Sequence, residues 1–320
     1  MINDRLIHTK LPVTQSGSGN QEEGLLLHLD ANDVDSYDGD GSVWYDIKDH
    51  EYTPATNVDE HFNTIIWNGD GASSRSFTGV GFQPDLVWAK ARSAQNHTLY
   101  DSVRGVGKYI ASDTSAAEST AATYGQLTSF DVDGFTATKG TNATYSFFNS
   151  SNSYYNSGYV AWCFKAGGAP TATNVATSGA MTDNSVSIDG VLQTSYTPLL
   201  SPTIYPKKIS ANNNLGFSIV SYTGNTTLNA TVANGLDCAS EMIIIKTLTN
   251  AGGFDSWAVY HSDLAPTGYL NLDLNQVAYY DSGYFGSLAQ PSTGFRLGNY
   301  DVSNDNTDMI AYCFASKRGV

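Results

Sequence analysis

The chain predicts an all-β protein made of two tandem β-sandwich modules, and three observations carry that reading. The first is a repeat. Tyr159-Val-Ala-Trp-Cys-Phe164 closes the first half and Met309-Ile-Ala-Tyr-Cys-Phe314 the second, while Asp85-Leu-Val-Trp-Ala-Lys90 answers Glu241-Met-Ile-Ile-Ile-Lys246 and Gly134-Phe135 answers Gly294-Phe295. Self-similarity over so long a period is the mark of tandem duplication, and 320 residues suit about two domains of roughly 150 residues each. The second is composition. With 30 glycines, 20 tyrosines and 15% charged residues, the chain favours strands and turns over helices. The third is spacing: short apolar runs bounded by Gly, Pro, Asn or Asp follow one another without the helical crossovers that a doubly wound sheet requires.

Taken in order, residues 1–23 form a flexible polar arm that includes Thr14-Gln-Ser-Gly-Ser-Gly-Asn20, with almost nothing to bury. The first module, 24–168, opens with a buried strand at 25–30 and a turn, Asp38-Gly-Asp-Gly41, ahead of Val43-Trp-Tyr45. Its repeat begins near Phe62, with strands expected at 62–67, 86–91, 97–100, 109–111, 134–137 and 159–164. The alanines of 115–123 predict one short helix.

Residues 169–215 form a connector rich in Pro, Thr and Ser. Tyr196-Thr-Pro-Leu-Leu-Ser-Pro-Thr-Ile-Tyr-Pro206 favours an extended path over a central strand, because proline cannot donate to a ladder. Asp189-Gly190 is a hairpin turn between Ser185-Val-Ser-Ile and Val191-Leu-Gln-Thr. The second module, 216–320, opens with Phe217-Ser-Ile-Val-Ser-Tyr-Thr-Gly, which answers Asn63-Thr-Ile-Ile-Trp67-Asn-Gly-Asp, and continues through 242–246, 256–261, 269–274, 294–297 and 309–314. Alternation of Phe217, Ile219 and Ser221 with Ser218, Val220 and Tyr222 is that of a strand with one face more deeply buried.

Charge and cysteine usage narrow the function. A formal net charge of −15, with only 16 scattered basic residues, argues against duplex nucleic acid as a partner and suits a soluble protein at high copy number. Cys163, Cys238 and Cys313 make no disulfide framework and no CxxC zinc spacing; Cys163 and Cys313 read as buried core thiols, while Cys238 follows a loop-like Gly235-Leu-Asp. The first ten residues carry no apolar core of signal-peptide length and no run approaches a membrane span, so the expected product is soluble and made in the host cytoplasm, with no membrane insertion.

At this point the residues support a resemblance. Gly24-Leu-Leu-Leu-His-Leu-Asp-Ala-Asn32 with Ser36-Tyr-Asp-Gly-Asp-Gly-Ser-Val-Trp44-Tyr-Asp46 resembles the opening of concanavalin A-like, laminin-G type jelly rolls, although Lys48-Asp-His-Glu51 departs from the usual continuation. Gly81-Phe-Gln-Pro-Asp-Leu-Val-Trp-Ala-Lys90, Asp101-Ser-Val-Arg-Gly105 and the segment from Tyr159 to Gly168 resemble a repeat family of structural and tail-fibre-like proteins of marine bacteriophages, including cyanophages. The second repeat has no Asp-Ser-Val-Arg-Gly equivalent. The resemblance implies concanavalin A-like jelly-roll sandwiches, a place on the virion surface as tail fibre or capsid appendage, homotrimerisation, attachment to other virion proteins through the N-terminal part, and host-surface glycan as the partner.

Three constellations are candidate sites. The tyrosine and amide cluster around Tyr154, Tyr155 and Asn156, with Tyr279-Tyr280-Asp281 in the second repeat, has what a glycan loop needs: aromatic faces for the apolar side of a sugar ring and amides for its hydroxyls. Packing of these tyrosines between subunits or on a sandwich edge is the alternative. Arg104 is a candidate for an acidic sugar or phosphate, but a structural guanidinium held by a carboxylate such as Asp101 is the preferred reading. Asp33, Asp35, Asp38 and Asp40 suggest calcium, but Tyr37 breaks the EF-hand register and aspartates favour turns, so a solvated turn is the preferred reading. No HExxH, GxSxG or P-loop pattern occurs, and neither a catalytic residue nor a cofactor is expected. The predicted function is therefore display for host adsorption, with a capsid decoration protein that binds no receptor as the alternative and a glycan depolymerase as a third reading.

Overall fold

The computed structural model describes residues 60–93, 95–152, 158–249 and 255–317. The N-terminal arm and the segments 25–30 and 33–40 lie outside these residues. Thr56–Val320 is a single compact unit.

The first module contains β1 (Phe62–Trp67), β2 (Ser74–Thr78), β3 (Leu86–Ala91), β4 (His97–Asp101), β5 (Ile110–Ala111), β6 (Leu127–Asp131), β7 (Gly134–Thr138) and β8 (Tyr159–Phe164). A five-stranded sheet, β1-β8-β3-β4-β5, lies against a three-stranded sheet, β2-β7-β6. The next strands are β9 (Val186–Ile188), β10 (Val191–Leu192), β11 (Lys208–Asn212), β12 (Phe217–Thr223), β13 (Thr231–Ala233), β14 (Met242–Thr247), β15 (Ala258–His261), β16 (Gly268–Asn271) and β17 (Tyr279–Tyr280). A one-turn helix α1 (Ser282–Phe285), β18 (Gly294–Arg296), a second single turn α2 (Asp301–Asn304) and β19 (Asp308–Phe314) complete the chain. Here a nine-stranded sheet, β10-β9-β11-β12-β19-β14-β15-β16-β17, faces a two-stranded sheet, β13-β18. The protein is thus all-β and built of two sandwich modules.

Register explains the repeat. In β8, Tyr159, Ala161 and Cys163 turn into the core of the first sandwich with Val87 and Ala89 of β3, and in β19 Met309, Ala311 and Cys313 turn into the second core with Ile243 and Ile245 of β14. Cys163 pairs across with Val87 and Cys313 with Ile243, the same ladder position twice. Burial pushes both thiols up to about 12, as expected of a thiolate denied water.

The other faces of the two large sheets meet each other. Leu86, Leu99, Val103 and Ile110 of the first module form one apolar cluster with Phe217, Ile219, Ile244, Trp257, Ile310 and Tyr312 of the second. Phe164 touches both Phe217 and Phe314, at ring-centroid distances of 5.3 and 5.8 Å. A sheet buried on both faces needs apolar residues at every position, which is why β14 reads Met-Ile-Ile-Ile and β19 Met-Ile-Ala-Tyr-Cys-Phe.

A second duplication is polar. Trp67 Nε1 donates to the Phe148 carbonyl (2.7 Å) and Tyr222 Oη to the Ser303 carbonyl (2.6 Å), each across 81 residues. The buried amides of Asn149 and Asn304 accept from the backbone N–H of Asp70 and Asn225, each across 79 residues. Asn149 also donates to Asp70 Oδ1 and the Ala72 carbonyl, and Asn304 to the Thr227 and Gly298 carbonyls. Gly69 and Gly224 are required at these corners, because a Cβ would stand 2.1 Å from the Ser150 carbonyl oxygen and 2.0 Å from that of Asp305.

Two expectations change. Residues 115–123 are not helical: they run extended, with Ser119 bridged to Tyr109 and the Glu118 N–H donated to the Leu248 carbonyl of the other module. Tertiary partners here override alanine's preference. The 169–215 segment supplies strands to the second sheet, since β9 and β11 pair in parallel and β11 pairs with β12. The prolines at 198, 202 and 206 all precede β11, so none interrupts its ladder. The Asp189-Gly190 turn forms as predicted, with φ of 50° and 85° at its two central residues, the left-handed pair a tight hairpin demands.

Candidate functional site

Arg104 lies at the junction of the modules, and its side chain is 3% exposed. Nε donates to Asp101 Oδ2 at 2.5 Å, Nη1 to Glu118 Oε2 at 3.2 Å and Nη2 to the Leu99 carbonyl at 3.0 Å. From the second module, Tyr312 Oη donates to the same Asp101 oxygen at 2.8 Å. Burial works against the Arg104 charge, and Asp101, Tyr312 and Glu118 together more than offset it. Burial also pushes the Tyr312 hydroxyl well above its ordinary range. Of the two readings of Arg104, its contacts fit the structural one, a guanidinium held by Asp101: three of its N–H groups are already donated, which leaves little to offer an acidic sugar. The absence of Asp-Ser-Val-Arg-Gly from the second repeat follows, because one such ion pair serves the single junction.

Beside it runs a groove of about 390 Å³ whose rim includes Lys108, Glu118, Lys207 and Asp308. Lys108 faces Glu118 at 3.9 Å and Lys207 faces Asp308 at 2.5 Å. Lys108 and Lys207 are thus already partnered, and Glu118 and Asp308 place negative charge on the same rim, which disfavours an anion even with Lys208 in the lining.

Tyr279 and Tyr280 are placed differently. They form the short edge strand β17, paired with Tyr269 and Gly268 of β16, and are 47% and 62% exposed. Beneath Tyr279 is an aromatic base. Tyr279 stacks on Tyr269, Tyr269 lies parallel to Tyr284 at 3.5 Å, and Tyr300 meets the edge of Tyr284 at 6.0 Å. Asp281 caps α1 by accepting the Gly283 N–H at 2.8 Å and also accepts the Tyr300 hydroxyl at 3.1 Å. Gly283 leaves room for the Tyr300 ring, since a Cβ there would come within 2.3 Å of it. Burial, and then its neighbour Tyr269, push the Tyr284 hydroxyl up to about 12. An exposed aromatic edge on a rigid support stacks on a sugar ring without first losing side-chain freedom.

Tyr269, Tyr284 and Tyr300 were not distinguished from packing residues by sequence. Tyr284 stands in the visible Tyr-Tyr-Asp-Ser-Gly-Tyr run, whereas Tyr269 and Tyr300 join it only through the fold. Tyr154, Tyr155 and Asn156, like Asp33, Asp35, Asp38 and Asp40, lie outside the described residues. Among the described residues no group of three His, Cys, Asp or Glu side chains is close enough to hold a metal ion, and no helix is long and apolar enough to cross a membrane.

The model of a family described as Domain of unknown function (DUF7483) matches residues 57–192 and 203–320, which coincide with the two sandwiches and part of the segment between them. Neither a curated protein nor a solved structure gives a significant match.

Proposed function

The chain belongs to the DUF7483 family, and from that premise we propose that it is a non-catalytic display protein of a phage particle, a tail fibre or capsid appendage, whose second sandwich offers its tyrosine edge to host-surface glycan. The observation that carries the glycan reading is the exposed pair Tyr279 and Tyr280 on the edge strand β17, with Tyr279 stacked on Tyr269 and, through it, on Tyr284. Support for the particle comes from the resemblance of the Gly81 to Lys90 and Tyr159 to Gly168 segments to phage structural repeats. Attachment through the N-terminal part and trimerisation belong to the same proposal. Each contact would be weak, and copy number would multiply it.

Exposed Leu272, Leu274 and Val277 precede the tyrosines, and an apolar edge of this kind also suits a protein neighbour, as in a decoration protein. Adsorption of the full chain to host cells and isolated host polysaccharide separates the two. Tyr279→Ala with Tyr280→Ala is expected to reduce glycan retention about tenfold or more while leaving stability within about 0.5 kcal/mol. Unchanged retention sinks the glycan role of this edge, and loss of particle assembly with retention intact favours decoration.

A further inference from the structure

The Asn149 corner differs from its duplicate in one chemical respect. Strand register pairs Phe62 with Phe164 and Phe217 with Phe314, so Trp67-Asn68-Gly69-Asp70 corresponds to Tyr222-Thr223-Gly224-Asn225. Where the first corner has Asn68, the second has threonine. Ahead of a glycine, asparagine has a reaction open to it that threonine lacks: the next backbone nitrogen, unshielded by a Cβ, attacks the side-chain amide carbon.

The chain holds two Asn-Gly steps, 68–69 and 234–235, and the fold treats them oppositely. Asn234 is 0% exposed; its Nδ2 donates to the Cys238 carbonyl and to Ser240 Oγ, both at 3.1 Å, and its Oδ1 accepts the Leu236 N–H at 3.0 Å. Asn68 is exposed just past the end of β1, and among the described residues neither its side-chain amide nor the Gly69 N–H has a hydrogen-bond partner. Its Cγ is free to turn towards that nitrogen.

Arg75 adds an activating charge. Its Nη1 donates to the Asn68 carbonyl at 2.8 Å, and that oxygen belongs to the same peptide unit as the Gly69 N–H. When the nitrogen loses its proton, the negative charge is shared with the oxygen, so a guanidinium on the oxygen favours the nucleophilic form. Arg75 also faces the Asp70 carboxylate, at the longer distance of 3.4 Å, and Asp70 Oδ1 is taken up by the Ala72 N–H and Asn149 Nδ2. The second corner has no such cation, because the register that matches Phe77 with Val232 sets Ala230 at the place of Arg75.

We propose that Asn68 is a site of spontaneous deamidation activated by Arg75, and that its isoaspartate product loosens the Asn149 corner. The Gly69 nitrogen bonds to Asn68 Cγ while the Cγ–Nδ2 bond breaks, and the side-chain nitrogen leaves as ammonia with the proton that Gly69 gave up. Water then opens the cyclic imide at either carbonyl, which yields aspartate or, with an additional methylene in the main chain, isoaspartate. Asp70, whose N–H and Oδ1 both meet Asn149, comes directly after Gly69, so a longer main chain at 68 displaces the latch. Nor is a bulkier residue at 69 able to shield the step, since a Cβ there would stand 2.1 Å from the Ser150 carbonyl oxygen.

The test ages the full chain for days at mildly alkaline pH and follows both Asn-Gly steps by peptide mass spectrometry, with isoaspartate identified by electron-transfer fragmentation. In the folded protein Asn68 is expected to convert about tenfold or more faster than Asn234, which reacts only when its buried loop opens; in denaturant the two rates are expected to converge. Arg75→Met is expected to slow Asn68 about threefold to tenfold, and Arg75→Lys to restore part of the rate. Asn68→Thr, which copies the second corner, is expected to fold and to give no product there. In the isoaspartate-bearing fraction, hydrogen exchange is expected to quicken at Asp70 and to stay unchanged at Asn225. Folded-state conversion of Asn234 as fast as that of Asn68, a gap between them that persists in denaturant, an Asn68 rate that Arg75→Met leaves unchanged or raises, or an isoaspartate corner that exchanges like the fresh one would each overturn the proposal.

Discussion

The two modules agree where they are buried and differ at their rims. The Asn149 and Asn304 latches make the same bond across the same 79 residues, although one follows Phe-Phe and the other Val-Ser. By contrast, a loop aspartate accepts a backbone N–H from 16 residues upstream in both modules, Asp113 from His97 and Asp273 from Trp257, yet His97 is half-buried and Trp257 fully buried. The first sheet also stops at the two-residue β5, whereas the second gains β9, β10 and β11 at one side and β17 at the other. After duplication, then, the polar corner is the constrained part and the sheet rims are free to change. Binding surfaces are therefore best sought at the rims.

The largest expected difference is between Trp257 and His97. Trp257→Ala empties a buried indole site and strands two carbonyls, at a cost of about 4 kcal/mol in chemical denaturation, against less than about 1 kcal/mol for His97→Ala. Equal costs would mean that the rims have not diverged in load. Next come Asn149→Ala and Asn304→Ala, each about 3 kcal/mol, because a buried amide that makes three bonds leaves its partners unmet. A marked inequality between the two would break the equivalence of the latches.

The paired lysines of β3 and β14 give a pH signature. Lys246 is 0% exposed, and burial pushes its ammonium down to about 8 from 10.5, with Asp255 and Asp273 partly opposing. Between those values the unfolded chain holds a proton that the folded chain has shed, so stability rises with pH across that window. Relative to Lys246→Met, the wild-type protein should gain on the order of 2 kcal/mol between pH 8 and 10.5. Lys90 shifts in the same direction but is only partly buried, and Lys90→Met should show less of this rise. The smallest effect concerns thiols: native protein is expected to react with a disulfide reagent at Cys238 alone, since Cys163 and Cys313 are buried.

Strands whose two faces are both apolar were legible in the sequence. Leu86–Ala91 and Tyr159–Phe164 fall where the apolar runs placed them, because a strand covered on both faces leaves little room for polar interruption, and so does the edge strand Phe62–Trp67, although its Thr64 and Ile66 are exposed. The Asn latches were not legible. Their only local signal is a glycine after an aromatic strand end, in Trp67-Asn-Gly and Tyr222-Thr-Gly, and the asparagines themselves look like any turn residue. Arg104 was readable as a partner of Asp101, but Tyr312 on the far module was not, since that contact spans 211 residues.

That facing arrangement has a consequence for synthesis. When Phe164 has been added, the first sandwich has all its strands, yet Leu86, Leu99 and Ile110 still lack the Phe217, Ile219 and Ile310 side that covers them. Ile310 lies 146 residues after Phe164, so at about 5–20 residues per second the finished half waits about 7–30 s with this apolar face uncovered. During that interval, neighbouring nascent chains on one polysome present each other with the same sticky face, so the expected hazard is pairing between first halves of different chains before each meets its own second half.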